Sequence, residues 1–188
     1  MRVKAYNILK KYYDTSSLGF EILLRHSQDV TRKAVKIASA MKNVDVGFVA
    51  EASMLHDIGV YLTHAPDIGC HGDMPYICHG YLGREILEKE GLPRHALVSE
   101  HHTGTGLTKD DIIRNDLPIP HRDMLPTSIE EIIICYSDKF FSKNPKQFGQ
   151  EESYDKVLKE MAKFGADNAE RFRQWHLMFS GESHASQI

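Results

Sequence analysis

Five histidines (His26, His56, His79, His101 and His102) and two aspartates (Asp57 and Asp138) fall where an inward-facing helical stripe would ordinarily be apolar. One inward histidine is most often a core residue with a satisfied hydrogen bond. A buried, unpaired carboxylate is different: it costs roughly several kcal/mol and persists only when paired or bound to a metal. Such groups on separate segments that can converge point to a metal centre. Imidazole nitrogens with carboxylate oxygens suit Fe, Mn, Zn, Ni or Co. The three cysteines, Cys70, Cys78 and Cys135, are odd in number and lack CxxC spacing, so neither a disulfide framework nor a thiolate zinc site is expected.

Helical periodicity supplies the elements that must position these groups. Residues 19–42 form one amphipathic stripe through Val30, Ala34, Ile37, Ala38 and Met41, with His26 one turn before Val30. A second helix fits 46–58, turning Phe48, Ala52 and Leu55 inward and ending at His56-Asp57. Residues 62–74 read as a loop, and Asp73 with Pro75 as the cap and first turn of a helix over 75–90 that carries His79. Gly91 and Pro93 punctuate its end, and a short helix over 93–102 delivers His101-His102 to a Thr-Gly-Thr-Gly turn. Thr127 and Glu130 make a capping-box pattern before an apolar helix over 128–142 that contains Asp138. One last helix occupies much of 151–179, and strand signals are weak, so the fold class is all-α.

At 188 residues the chain suits one domain, expected over 1–179 with a motif-bearing core at 19–143 and a polar tail at 180–188. Its 41% hydrophobic and 26% charged residues are ordinary globular proportions. A net charge of −3 gives no global positive field for a nucleic-acid polymer or an anionic membrane, so neither partner is expected. Phosphate would have to be met by local charge. The opening MRVKAYNILKKYYDT has no continuous apolar stretch, and no apolar run approaches the ~18 residues of a membrane span, so a cytoplasmic location is the expectation.

The same residues carry a family resemblance. LLRHSQDVTRKA, MLHDIG, ICHGYLGREIL, SEHHTGTG and CYSDKF occur in the order seen in the HD-domain superfamily, and MLHDIG is similar to the motif that names its HDIG branch. The resemblance implies a compact bundle of about six to eight helices. It implies that His26, His56, Asp57 and Asp138 hold a first metal, while Asp57 bridges to a second held by His79 and His101. Two divalent or trivalent transition-metal ions follow, iron foremost, with manganese or nickel as alternatives. His79-Gly80 with the Leu-Gly beyond it resembles the subgroup that cleaves dinucleoside polyphosphates. The doubled His101-His102 resembles instead the cyclic-dinucleotide phosphodiesterases, whose GYP signature is missing, and leaves His102 open as ligand, proton donor or plain surface histidine.

These features imply a metal-dependent phosphohydrolase, cleaving a phosphate ester or anhydride of a nucleotide-type small molecule through a metal-bridging hydroxide. Asp57 is a catalytic candidate as the bridge, and His102 or Lys139 as the acid that protonates the leaving group, with Lys139 also a candidate partner for a carboxylate ligand. Arg25, His121, Arg122 and Lys143 are the candidate substrate contacts, and His64 and His71 candidate entrance residues. His95, His176 and His184 lie outside every motif. Two other classes remain open: a diiron HD-domain oxygenase that cleaves a C–C or C–P bond, and a non-catalytic nucleotide-binding module. A homodimer is allowed for.

Overall fold

The computed structural model describes residues 4–180, so of the expected tail only Ser180 can be placed; the remainder, with His184, lies outside the described residues. The fold is all-α. Its helices are α1 (Ala5–Tyr12), α2 (Leu18–Ala40), α3 (Val46–Leu55), α4 (His79–Lys89), α5 (Pro93–His101), α6 (Lys109–Arg114), α7 (Ile129–Asp138), α8 (Tyr154–Lys163) and α9 (Ala166–Ser180). That makes nine among the described residues, above the six to eight expected. Two of them, α1 and α6, lie outside every helix read from the sequence, and the single helix expected over 151–179 breaks at Phe164-Gly165, where Gly165 has φ 127°. That backbone region is open to glycine and closed to most other residues, so α8 must end there. The loop over 62–74 contains two-residue strands, β1 (His64–Ala65) and β2 (Cys70–His71), paired antiparallel with His64 opposite His71.

Local chemistry sets the helix starts. Ser17 and Asp45 cap α2 and α3 by accepting the Phe20 and Phe48 backbone N–H groups. The capping box of α7 is Ser128 with Glu131, one residue beyond the expected Thr127–Glu130 pair. Thr127 donates its hydroxyl to the same Glu131, at 3.2 Å. Asp73 caps nothing; α4 begins at His79 after a 3-10 turn over Tyr76–Cys78. A second capping box, Thr108 with Asp111, opens the short α6.

Packing draws the metal-type residues together. Ala34 and Ala38 on α2 are fully buried and small enough to admit α3 and α7 closely, joining Val49, Ala52, Ile133 and Ile134 in one cluster. Leu9, Leu23, Leu55, Ile58 and Leu87 form another, and each such side chain contributes about 1.5–3 kcal/mol through burial. The turn after Asp57 is held against α4 by a glycine contact. A Cβ on Gly59 would overlap the His79 carbonyl oxygen and the Gly83 amide. Only a residue without a side chain brings the Asp57 and His79 segments this close.

Candidate metal centre

Three helices deliver one buried group. His26 comes from the middle of α2, His56 and Asp57 from the end of α3, and Asp138 from the last residue of α7; their ligand-type atoms all lie within 4.8 Å of one another. His26 Nε2 is 2.9 Å from Asp138 Oδ1 and 3.2 Å from Asp57 Oδ2, and His56 Nε2 is 3.3 Å from Asp57 Oδ2. Asp57 then turns its other oxygen to a second group: Oδ1 is 3.3 Å from His102 Nε2 and 3.6 Å from His79 Nε2. One carboxylate thus serves two donor sets.

Two observations show that these donors fit cations rather than one another. First, His26 Nε2, His56 Nε2 and both Asp57 oxygens are buried without a hydrogen-bond partner, although they crowd together. Atoms this close that fail to align as hydrogen bonds are directed elsewhere. Second, the Nδ1 atoms of His56, His79 and His102 each lie 2.6–2.7 Å from the backbone carbonyl oxygen three residues earlier, of Ser53, Tyr76 and Ser99. A carbonyl only accepts, so Nδ1 carries a proton in each ring, and in a neutral ring Nε2 presents a lone pair. Burial pushes His56 down, but Asp57 and Asp138 beside it raise it to about 9, so a cation there would take the place of a second proton. His79 Nε2 and His102 Nε2 then face each other at 3.0 Å with no proton between them. Burial, with His102 adding to it, pushes His79 down to about 3, and burial lowers His102 as well, so both rings are neutral donors. A cation between the two nitrogens relieves that repulsion.

Lysines balance the carboxylates. Burial pushes the Asp57 and Asp138 carboxyls up, yet Lys143 and His56 beside Asp57, and Lys139 beside Asp138, hold both well below the usual carboxylate range. Lys139 donates to Asp138 Oδ2 at 2.7 Å and to the His102 carbonyl oxygen at 2.9 Å, tying a ligand of the first set to the backbone of the second. Lys143 Nζ lies 2.6 Å from Asp57 Oδ2 as an ion pair, 5.9 Å from the Tyr76 ring centroid. Above this floor opens a cavity of about 630 Å³ whose lining includes His79, His102, Asp138, Lys139 and Lys143.

The structure separates the doubled histidines. His102 belongs to the second donor set, whereas His101, expected there, is not among its members. His101 Nδ1 is 2.6 Å from Glu131 Oε2, the capping carboxylate of α7, and its Nε2 is 3.7 Å from Glu100 Oε2. Its imidazole is thus held by carboxylates on the far side of α5. Arg122 is engaged in the same way, donating from Nε to Glu100 Oε1 at 3.0 Å, while Arg84 holds the other oxygen. Arg25 pairs with Glu21 at 3.2 Å and lies over Phe148, and His121 is exposed; none of Arg25, His121 and Arg122 lines the cavity. Of the expected substrate contacts only Lys143 lines it, and His64 and His71 are also absent from its walls.

Reading the sequence alone missed Tyr76, Leu107, Asn115, Leu117, Met161 and Phe164, which are among the other residues of the walls. Their segments lie between or beyond the histidine motifs, and nothing local in the sequence ties α6 or α8 to the centre. The three cysteines are free and buried, and among the described residues no helix is long and apolar enough to cross a membrane.

Buried His26, His56-Asp57 and Asp138, converging from three helices with a second donor set beside them, define a metal-binding helical domain of the histidine–aspartate type. Residues 23–142 match the HD domain family model, and the chain belongs to the HD-domain family. An uncharacterised protein of Methanocaldococcus jannaschii is 36% identical over 140 residues, covering 72% of each chain. A tRNA (cytidine(56)-2'-O)-methyltransferase of Thermoplasma volcanium is 28% identical over 161 residues, 85% of this chain and 42% of its own. Its counterpart in Picrophilus torridus is 31% identical over 123 residues, 65% of this chain and 32% of its own. The similarity therefore spans less than half the length of either methyltransferase. No solved structure matches the chain.

Proposed function

We propose that the protein is a metal-dependent phosphohydrolase that cleaves a phosphate ester or anhydride of a nucleotide-type small molecule. The observation that carries this reading is Asp57, whose two oxygens face two separate nitrogen-and-oxygen donor sets at the floor of a cavity large enough for a nucleotide. His26, His56, Asp57 and Asp138 would hold one ion, and Asp57, His79 and His102 a second. Ions so held supply a lowered pKa for water and compensation for phosphoryl charge. The chain's own residues do the rest. Asp57, Asp138 and the histidines fix the centre. Lys139 orients Asp138 and the His102 backbone, donating a hydrogen bond to each. Lys143, one side of which faces the cavity, meets the phosphoryl oxygens as a fixed positive charge.

The nucleotide part of the reading is supported by the aromatic and amide groups of the wall, and the relatives named tRNA methyltransferases make nucleotides derived from tRNA the first to test. The test is phosphate release by manganese- or iron-loaded protein from a panel of nucleoside mono-, di- and triphosphates, dinucleotides and cyclic nucleotides, under strict anaerobic conditions. Release from a member of the panel, lost in Asp57→Ala, is the expected result. Oxygen uptake coupled to substrate loss, with no phosphate released anaerobically, would replace this reading with an oxygenase. Tight nucleotide binding with no turnover of any kind would make the protein a binding module.

A further inference from the structure

The cavity is much larger than a phosphate group needs, and its outer end has a composition unlike its floor. The α6 side contributes Leu107, Asp111, Asn115 and Leu117, and the α8 side contributes Met161, Lys163 and Phe164. Phe164 stands at the corner between α8 and α9 with 69% of its surface exposed, the highest exposure among the large hydrophobic residues described. An aromatic ring left in water at a cavity rim is an unfavourable arrangement for the free protein. It is also held firmly. Asn168, buried at 7% exposure, donates from Nδ2 to the Phe164 carbonyl oxygen at 3.2 Å and accepts the Thr105 hydroxyl at 2.7 Å. Arg171 donates to the same hydroxyl at 3.3 Å and to the Gly106 carbonyl oxygen at 3.4 Å. The turn over 103–106 begins one residue after His102. The corner bearing Phe164 is therefore stitched to the segment that carries a donor of the metal centre.

We infer that this outer end is a nucleobase subsite, in which the Phe164 ring is the stacking platform and Leu107, Leu117 and Met161 form the apolar wall. The inference rests on the nucleotide reading above and narrows it to substrates whose base contributes to binding. A flat, apolar, hydrogen-bonding group suits these neighbours: the ring offers a π face, and Asn115 offers an amide at the same end. A sugar phosphate without a base would leave the ring wet. Phe164 is thus a specificity residue, remote from the reacting atoms, and the link through Asn168 and Thr105 fixes its distance from the phosphate end.

The test is equilibrium binding to zinc-loaded protein of the methylene phosphonate analogue of AMP, which cannot be hydrolysed, and of its counterpart lacking the base. Phe164→Ala should weaken the AMP analogue about tenfold, equivalent to about 1.4 kcal/mol, and leave the base-free compound unchanged. Phe164→Trp should restore affinity, and its indole emission should be quenched by the AMP analogue alone; the native Trp175 is buried at 7% exposure. Equal binding of the two compounds by the unaltered protein, an unaffected Phe164→Ala variant, or no saturable binding of AMP, GMP, CMP or UMP analogues would each overturn the subsite. Phosphate release that is indifferent to the presence of a base sinks this inference and spares the hydrolase. Base-dependent binding through Phe164 without hydrolysis of any nucleotide does the reverse.

Discussion

His101 and His102 are adjacent, both buried, and make opposite predictions on substitution. His101→Ala removes the 2.6 Å contact with Glu131, a hydrogen bond to a carboxylate in a buried setting worth about 1.5–3 kcal/mol. At roughly 2–4 °C per kcal/mol for a domain of this size, the midpoint should fall by about 3–12 °C. Glu131 keeps its Ser128 partner, at 3.0 Å, so α7 should still start in place and the metal centre should be intact. His102→Ala removes one of the three donors around the second position and a bond to the Ser99 carbonyl oxygen at 2.7 Å. Losing a supporting partner of a ligand already costs about 10–100-fold in metal affinity, and losing the ligand itself should cost about 100-fold or more. Elemental analysis of protein purified without chelators, with a thermal melt of each variant, separates the two effects. We expect His101→Ala to be less stable with its metal content unchanged, and His102→Ala to retain only the first ion. A His101→Ala protein that loses one ion, beside a His102→Ala protein that keeps both, would refute the assignment.

Three further outcomes follow from the same geometry. Asp57→Ala should abolish both metal retention and activity, because its oxygens serve both donor sets; elemental analysis showing one retained ion would contradict the bridging role. Lys139→Met breaks a buried pair with Asp138 and should destabilise the fold by about 3–5 kcal/mol, read as the midpoint in denaturant. Lys143→Ala should raise KM for a phosphorylated substrate with a smaller change in melting temperature, since Lys143 lines the cavity and carries no helix; steady-state kinetics showing an unaltered KM and kcat would remove it from the site.

The sequence made part of this centre legible and hid part of it for identifiable reasons. His26, His79 and Asp138 were readable because each interrupts an apolar helical stripe, and the structure buries all three. The choice between His101 and His102 was not readable. Neighbouring residues at a helix end point about 100° apart, and which one faces the centre depends on where α5 stops and on Glu131, thirty positions downstream. Arg122 was lost to Glu100 for a similar reason, as a partner distant in sequence claimed its charge. The break between α8 and α9 was signalled by Gly165, but the amphipathic pattern on either side of it reads as continuous. Phe164 gave no local sign at all, because only packing brings that corner to the cavity.

Helix ends explain why these histidines make good ligands. The last carbonyls of an α-helix have no partner within the helix. His56 and His102 are the C-caps of α3 and α5, and each donates Nδ1–H to such a carbonyl, of Ser53 and Ser99. His79 does the same to Tyr76 across the 3-10 turn that precedes α4. One bond therefore does two things: it satisfies an orphan acceptor at the helix end and fixes the tautomer that leaves Nε2 bare for a cation. His26 is the exception. It lies in the middle of α2, where the carbonyl ladder is already occupied, and its Nδ1 is buried without a hydrogen-bond partner. Its orientation is set by packing alone, with Nε2 directed between Asp57 and Asp138. Of the four histidine donors, three are thus fixed by backbone at helix ends and one by the surrounding core, and the close packing of α2 against α3 and α7 through Ala34 and Ala38 is what holds that fourth histidine in place.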